Sequence, residues 1–486
     1  MTAPDPVLGV DSLHVAVARS ARSEPDRDAI STHDRTLSVA ELASLAGALT
    51  ERLAEGSGPF LLAPRDAIEA GAGLIAASAS GRPALVVDPR RSPTALTALA
   101  HAVSATVAVV SSDIGHGASG GLPTIDPGPL SGEALPVTGR APDDILLLAG
   151  TSGSTATPKL VGLTHRSLAA RATRQGEASD PRPGDRIGRT FNHTGAAMKA
   201  IAVALLTGIP LLALDLLRVR PVEVLHRFDL AGATHVRLVP SVLRRLLLAT
   251  PSSVRLPTVR IIGGGGDPML WDDVARLRPR LAPTATIIHT YGSTEVDGIA
   301  RRLITMEEAL GEGVVPVGRP SPGRDVWIDD GAGRPSAPGI VGEIIIDGDL
   351  LAIGPAFEDL GGGRKRHRTR DLGELTPDGE LIHRGRVDRM VKIGGVRIEP
   401  GAVEEVLRAI PGVLDVAVVP EGDDPDRMRL VAHVVALPGA APERAALRAA
   451  VAAQVTSSAV PAAFHLRTEP LPVLASGKVD RRALLA

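Results

Sequence analysis

The stretch Thr151–Lys159 reads T-S-G-S-T-A-T-P-K and follows a short apolar run, Ile145–Ala149. Its hydroxyls (Thr151, Ser152, Ser154, Thr155), the backbone around Gly153 and the ammonium of Lys159 are groups that cradle phosphate oxygens. It is not a Walker loop, because Pro158 precedes Lys159 and no Gly-Lys-Ser opens a helix. Alone, the stretch is equally compatible with a flexible surface loop. Tyr291–Glu295 reads Y-G-S-T-E. Its ring can stack on a base, Thr294 can bond a phosphate and Glu295 can hold Mg²⁺; the plain alternative is a capped turn with a solvated Glu295. Asp371, in R-T-R-D, is an acceptor suited to a vicinal diol. Lys478, in L-P-V-L-A-S-G-K-V-D-R-R-A-L, can bring a cation to developing phosphate charge.

Alternating elements must position these groups. Leu37–Leu53 has helical periodicity behind a Ser38 N-cap. Pro83–Val87 and Thr106–Val110 read as buried strands with a helix, Pro93–Val103, between them, which is β-α-β logic. Ser111–Pro142 reads as loop. Further on, short strands end in polar or glycine-rich loops: Ile145–Ala149 before Thr151, Val259–Ile262 before Gly263–Gly266, Thr286–His289 before Tyr291. Open α/β sheets bind ligands at such strand ends. From about Val314 short strands and turns take over. After Arg386 the helix and strand patterns predict a small α+β unit.

The composition excludes several classes. The 486 residues are 44% hydrophobic with a net charge of −2, and no global field for nucleic acid is present. Without cysteine, the chain forms no disulfide, thiolate metal site or thioester of its own. The apolar run Ile201–Leu217 is broken by Gly208, Pro210 and Asp215, so no membrane span is expected, and the N-terminal residues do not read as a signal peptide. A cytoplasmic location is the expectation. Only five residues are lysine (Lys159, Lys199, Lys365, Lys392, Lys478) against 48 arginines, and Tyr291 is the one tyrosine. Where arginine is so favoured, a retained lysine marks a place for a compact point charge.

In order and spacing, these motifs resemble the adenylate-forming superfamily of acyl-CoA synthetases, nonribosomal peptide adenylation domains and firefly-type luciferases. The resemblance runs from about Asp28 to Leu484 and is closest to members that activate acyl and aryl acids. It implies an α/β fold: a large N-terminal domain of stacked sheets flanked by helices with a small β-rich subdomain (1–385), a hinge (386–389) and a small mobile α+β lid (390–486). It also implies ATP and Mg²⁺ as cofactors and an acid–thiol ligase. By the same resemblance, Thr151–Lys159 closes on the β- and γ-phosphates, and Tyr291 lies against adenine with the Gly264–Gly266 backbone, including Gly265, on its other side. Thr294 contacts the α-phosphate, Glu295 binds Mg²⁺, and Asp371 and Arg386 hold the ribose. Asp388 is the hinge. Lys478 bridges acid and α-phosphate during adenylation, and a face around Gly394–Gly395 serves the later thiol step. Ala156, Leu160 and Arg370 depart from the pattern, standing where glycine is usual.

Phe191–Gly195 reads F-N-H-T-G. Amino-acid-activating relatives carry an aspartate near Asn192, so the resemblance favours an acid without an α-amine. Expected pocket walls are His193, Ala197, Gly264, Gly292, Val296 and Ile299; His193 can equally be a packed core histidine. Lys199 is expected to point away from that face, solvated or paired. The expected acceptor is the thiol of CoA or the phosphopantetheine arm of a separate carrier protein. The alternatives are an amide synthetase passing the acyl group to an amine, and a catalytically weak nucleotide-binding relative.

Overall fold

The computed structural model describes residues 12–128, 132, 134–150, 160–348, 353–354, 357–393, 396–422, 428–437, 439–440, 442–474 and 479–485. A six-stranded sheet holds Phe60–Ala63, Ala84–Val86, Ala108–Val110, Thr124–Ile125 and Ile145–Gly150 in parallel, with Leu160–Thr164 antiparallel at its edge. In a nine-stranded sheet, Asp28–Ser31, Leu211–Asp215, Ile187–Phe191, His235–Arg237, Ile261–Gly265 and Thr286–Tyr291 run parallel, and antiparallel strands finish both edges.

Two helices lie between these sheets. Ala67–Ser80 is apolar on all sides and buried nearly throughout, as a helix covered from both directions must be. Asp66 caps it by accepting from the Ile68 and Glu69 amides. Gly195–Thr207 packs beside it in one core with Phe60, Leu62, Ile30 and Leu211. A second apolar layer joins the far face of the nine-stranded sheet to Pro221–Leu230, Pro240–Ala249 and Trp271–Leu277. Pro93–Ala102 covers the far face of the other sheet. The result is helix, sheet, helix, sheet, helix, the stacked α/β architecture that the sequence predicts. Ser38 caps Val39–Ala54 as expected, with Glu41 completing a capping box.

An antiparallel five-stranded sheet follows, Arg324–Asp329 to Leu381–Arg386. A short helical turn, Val387–Arg389, leads to the strand Val391–Ile393. Beyond it, Pro400–Arg408 and Arg444–Gln454 pack on a three-stranded sheet. Among the described residues no helix is long and apolar enough to cross a membrane.

Ile201–Leu217 is broken where expected: the helix ends at a left-handed Gly208 and the buried strand Leu211–Asp215 follows. Two local expectations change. The glycine run is not a loop: Ile261–Gly265 is a strand, and Gly263 adopts φ +132, which a side chain would strain. Ser111–Pro142 contains a helical turn, His116–Ser119, and the strand Thr124–Ile125.

Candidate functional site

The strand ends converge as the α/β logic requires. Gly150 pairs with Leu160 as the last rung between two antiparallel strands. Thr151, Ser152, Gly153, Ser154, Thr155, Ala156 and Lys159 themselves lie outside the described residues, as do Gly394, Gly395 and Lys478. Leu160 occupies an ordinary strand position, which explains why a branched residue is tolerated there.

At the neighbouring tip, Tyr291 ends its strand and is 8% exposed. Its Oη donates to Asp371 Oδ2 at 2.6 Å. Arg386 stands opposite Asp371 in the antiparallel ladder, and its Nη1 donates to Asp371 Oδ1 at 2.7 Å. Arg386 also donates from Nε and Nη2 to Asp388, at 2.8 and 2.7 Å. Burial alone would raise the Asp371 carboxyl, but His383, Arg386 and the Tyr291 hydroxyl hold it below the usual carboxylate range. The Tyr291 phenol is pushed up by burial and by the adjacent carboxylate. The sequence motifs for base, ribose and hinge are thus one hydrogen-bonded chain. A carboxylate has about four lone-pair positions, so Asp371 keeps capacity for a diol beside these two partners. His383, 3.8 Å from Asp371, is a member of this cluster that no motif marked.

Beyond Tyr291 the chain turns sharply. Ser293 accepts from the Val296 amide at its hydroxyl and from the Asp297 amide at its carbonyl, and the Ile299 amide returns to Tyr291 O. Thr294 and Glu295 sit on this turn and line one cleft with Lys199, Arg171 and Asp297. Among the described residues no group of three or more His, Cys, Asp or Glu could hold a metal. Mg²⁺ that takes phosphate oxygens and water needs only one or two carboxylates, and Glu295 fits that need.

Of the other expected wall residues, Val296 lines the same cleft as Thr294 and Glu295. His193 packs edge-on to Phe191, with Nε2 2.8 Å from the Pro64 carbonyl oxygen and Nδ1 without a hydrogen-bond partner among the described residues. Burial lowers its pKa. Ala197 belongs to the inter-sheet core with Met198 and Ile201. Val296 and Ile299 pack with Tyr291 against the five-stranded sheet. Gly264 is a strand residue opposite His289, and Gly292 approaches Asp297 so closely that a Cβ would meet its backbone at 3.1 Å. Asn192 spends its side-chain oxygen on the Thr194 amide and hydroxyl, at 3.2 and 2.6 Å, at the helix start.

Lys199 is not solvated. It is 5% exposed, 3.6 Å from Asp297 and 3.4 Å from Ser293 O. Burial, then Arg171, brings its pKa down to about 7. The scarcity of lysine was the signal for it; helical spacing alone gave no sign that its side of Gly195–Thr207 is covered.

The family profile of the AMP-binding enzymes matches residues 17–354, and that of the AMP-binding enzyme C-terminal domain matches 402–478. The chain belongs to the AMP-binding enzyme family. It is 30% identical over 511 residues to Novobiocin biosynthesis protein H of Streptomyces niveus, covering 96% of this chain and 81% of that protein. It is 29% identical to the isonitrile lipopeptide synthase of Streptomyces coeruleorubidus over 99% of this chain; the chain spans only 33% of that synthase. Its fold is similar to that of the amide bond synthetase McbA from Marinactinospora thermotolerans, with a TM-score of 0.79 and 24% identity over 97% of this chain and 99% of that one.

Within this adenylate-forming enzyme, Arg370 shows how a departure from the motif is accommodated. It adopts φ 61, the left-handed conformation that glycine enters freely. Its amide donates to Glu343 at 3.0 Å, and its exposed guanidinium approaches Asp388 only to 3.9 Å. Arg370→Gly should therefore stabilise the chain by about 1 kcal/mol, read as a higher denaturation midpoint. A lower midpoint would show that the exposed side chain matters more than the backbone strain.

Proposed function

We propose that this enzyme joins a carboxylic acid lacking an α-amine to ATP, forming acyl-AMP and pyrophosphate, and then passes the acyl group to the thiol of CoA or of a separate carrier protein. The observation that carries the reading is the Tyr291–Asp371–Arg386–Asp388 chain beside the Thr294–Glu295 turn, at the ends of parallel strands. Tyr291 and the edge of Ile261–Gly265 offer a base platform, and Asp371 with Arg386 holds the ribose. The loop 151–159, through Thr151, Ser152, Gly153, Ser154, Thr155 and Lys159, wraps the β- and γ-phosphates. Thr294 contacts the α-phosphate. Glu295 would hold Mg²⁺, which when bound neutralises phosphate charge. Lys478 approaches on the C-terminal unit, with residues 386–389 as the hinge, and screens the acid carboxylate as it attacks the α-phosphorus. Asn192, engaged with Thr194, offers no carboxylate to an ammonium, which supports an acid without an α-amine.

ATP–pyrophosphate exchange across aryl, fatty, β-amino and α-amino acids tests this. Exchange with aryl or acyl acids is expected, and exchange confined to α-amino acids would refute the acid class. Asp371→Ala should weaken ATP binding roughly 10–100-fold, the worth of a hydrogen bond to a charged group. An unchanged ATP affinity, read by titration calorimetry, would remove the ribose role.

A further inference from the structure

The Glu295 cleft is lined by more positive than negative side chains. Arg171 and Arg174 reach it from the helix His165–Ser179, Lys199 from Gly195–Thr207, and Arg324 from the strand Arg324–Asp329. Two more arginines lie behind. Arg189 and Arg237 are direct neighbours on the parallel strands Ile187–Phe191 and His235–Arg237. Strand alternation puts both on the face opposite Val236 and Gly188. Val236 and Gly188 face Phe228 and the outer helices, so the two guanidiniums point inward, toward Arg171.

Four cations thus share one cleft with Glu295 and Asp297, and Arg189 and Arg237 stand behind Arg171, which feels both. Asp297 meets Arg171 in a close pair, Lys199 at 3.6 Å and Arg174 at 3.9 Å. Arg324 spends one nitrogen on the Asp297 and Gly298 carbonyls, at 2.9 and 2.7 Å. The Nε atoms of Arg171 and Arg189 have no partner among the described residues. The charges felt most by Arg237 are those of Arg301 and Arg189, both repulsive. Burial pushes Arg171 down to about 9 and Arg189, Arg237 and Arg324 each to about 10. Buried charges without partners are costly, and side-by-side like charges on adjacent strands are unfavourable. Folding alone gives no return for placing Arg189 beside Arg237; an anionic ligand does. Gly263 pairs with Arg237 and Gly265 lies two residues on, so neither adds a side chain beside Arg237, and Ala196 is exposed at the helix start.

We propose that the acid activated by this enzyme is a dicarboxylic acid, whose second carboxylate seats among Lys199, Arg171 and Arg237 while the first reacts. The inference rests on the adenylate reading above and narrows its substrate.

The test compares diacids with their monomethyl esters, glutarate and homophthalate each against its ester, in ATP–pyrophosphate exchange with the full chain. The diacid is expected to lead by about 10²-fold or more in kcat/KM, the scale of a truncated buried charge pair. Arg237→Leu and Lys199→Met should each shrink that lead, mainly by raising KM for the diacid. Arg237→Leu should also raise Tm, because it relieves the repulsion that Arg237 shares with Arg189 and Arg301, an effect not expected of a residue kept only for structure. Equal rates for diacid and ester, or exchange with uncharged-tail acids alone, overturn the inference and leave the adenylate reading standing. Absence of exchange with every acid overturns that reading instead, and thermal shift then decides the anion site. Stabilisation of wild type but not of Arg237→Leu by the diacids supports it; no shift, or a shift with inorganic pyrophosphate alone, overturns it.

Discussion

Lys478→Ala is expected to slow ATP–pyrophosphate exchange by ~10²–10³, the cost of removing one preorganised charge from a transition state, while ATP binding stays nearly intact. The reason lies in the reaction. A carboxylate must approach an α-phosphorus already surrounded by negative oxygens, and a cation that bridges both matters most when the new bond forms. The expected signature is therefore a fall in kcat with little change in the ATP dissociation constant. Val473 and Val479, on either side of 475–478, form an antiparallel bridge, and the Asp480 amide donates to Pro472 O at 2.8 Å, so the two flanks are held together. Exchange at the wild-type rate in Lys478→Ala would remove the assigned role.

The second large effect concerns the residue that ties the later of these flanks to its domain. Glu404, on Pro400–Arg408, is 4% exposed. It accepts from Arg481 Nη2 at 2.7 and 2.9 Å, from Arg408 at 3.0 Å and from the Val418 amide at 2.9 Å. Glu404→Ala leaves two guanidiniums and an amide without their partner, and breaking a buried ion pair from one side costs ~3–5 kcal/mol. Denaturant unfolding of the C-terminal unit should report that loss, and adenylation should fall with it because Arg481 lies three residues beyond Lys478. A change below about 0.5 kcal/mol, the range of ordinary surface substitutions, would mean that water or another acid replaces the carboxylate at no cost. The pH dependence has a definite sign. Burial alone would raise the Glu404 carboxyl, but Arg481 and Arg408 hold it below its ordinary value. Its contribution is complete above the unfolded value near pH 4.3 and is lost as the pH falls through the folded one.

Much of this architecture was legible in the residues. Continuous apolar runs such as Ala84–Val86 and Ala108–Val110, with helical Pro93–Ala102 between them, announce parallel sheet, because each run must be covered on both faces. Ser38 and Glu41 announce a helix start, because capping is a local hydrogen-bond requirement. The family was legible in the order of the motifs, and the AMP-binding enzyme profiles match the family they point to. Asp371 and Arg386 are fifteen positions apart, and their pairing needed the antiparallel register that sets them opposite one another.

Tertiary structure decided where charge is buried. The spacing around Lys199 is the same whether its side of the helix meets water or a sheet, and only the placement of Gly195–Thr207 between two sheets turns the ammonium onto Asp297. Arg189 and Arg237 look like ordinary residues of two separate strands until parallel pairing sets them side by side. Arg370 stands in the sequence where glycine is usual, and the fold holds it in the left-handed conformation that glycine enters freely. The sequence by itself determined most element types and the family, because these depend on local periodicity and on motif order. Burial, register and the neighbours of each charge were decided only by the packed structure, because they depend on contacts between segments far apart along the chain.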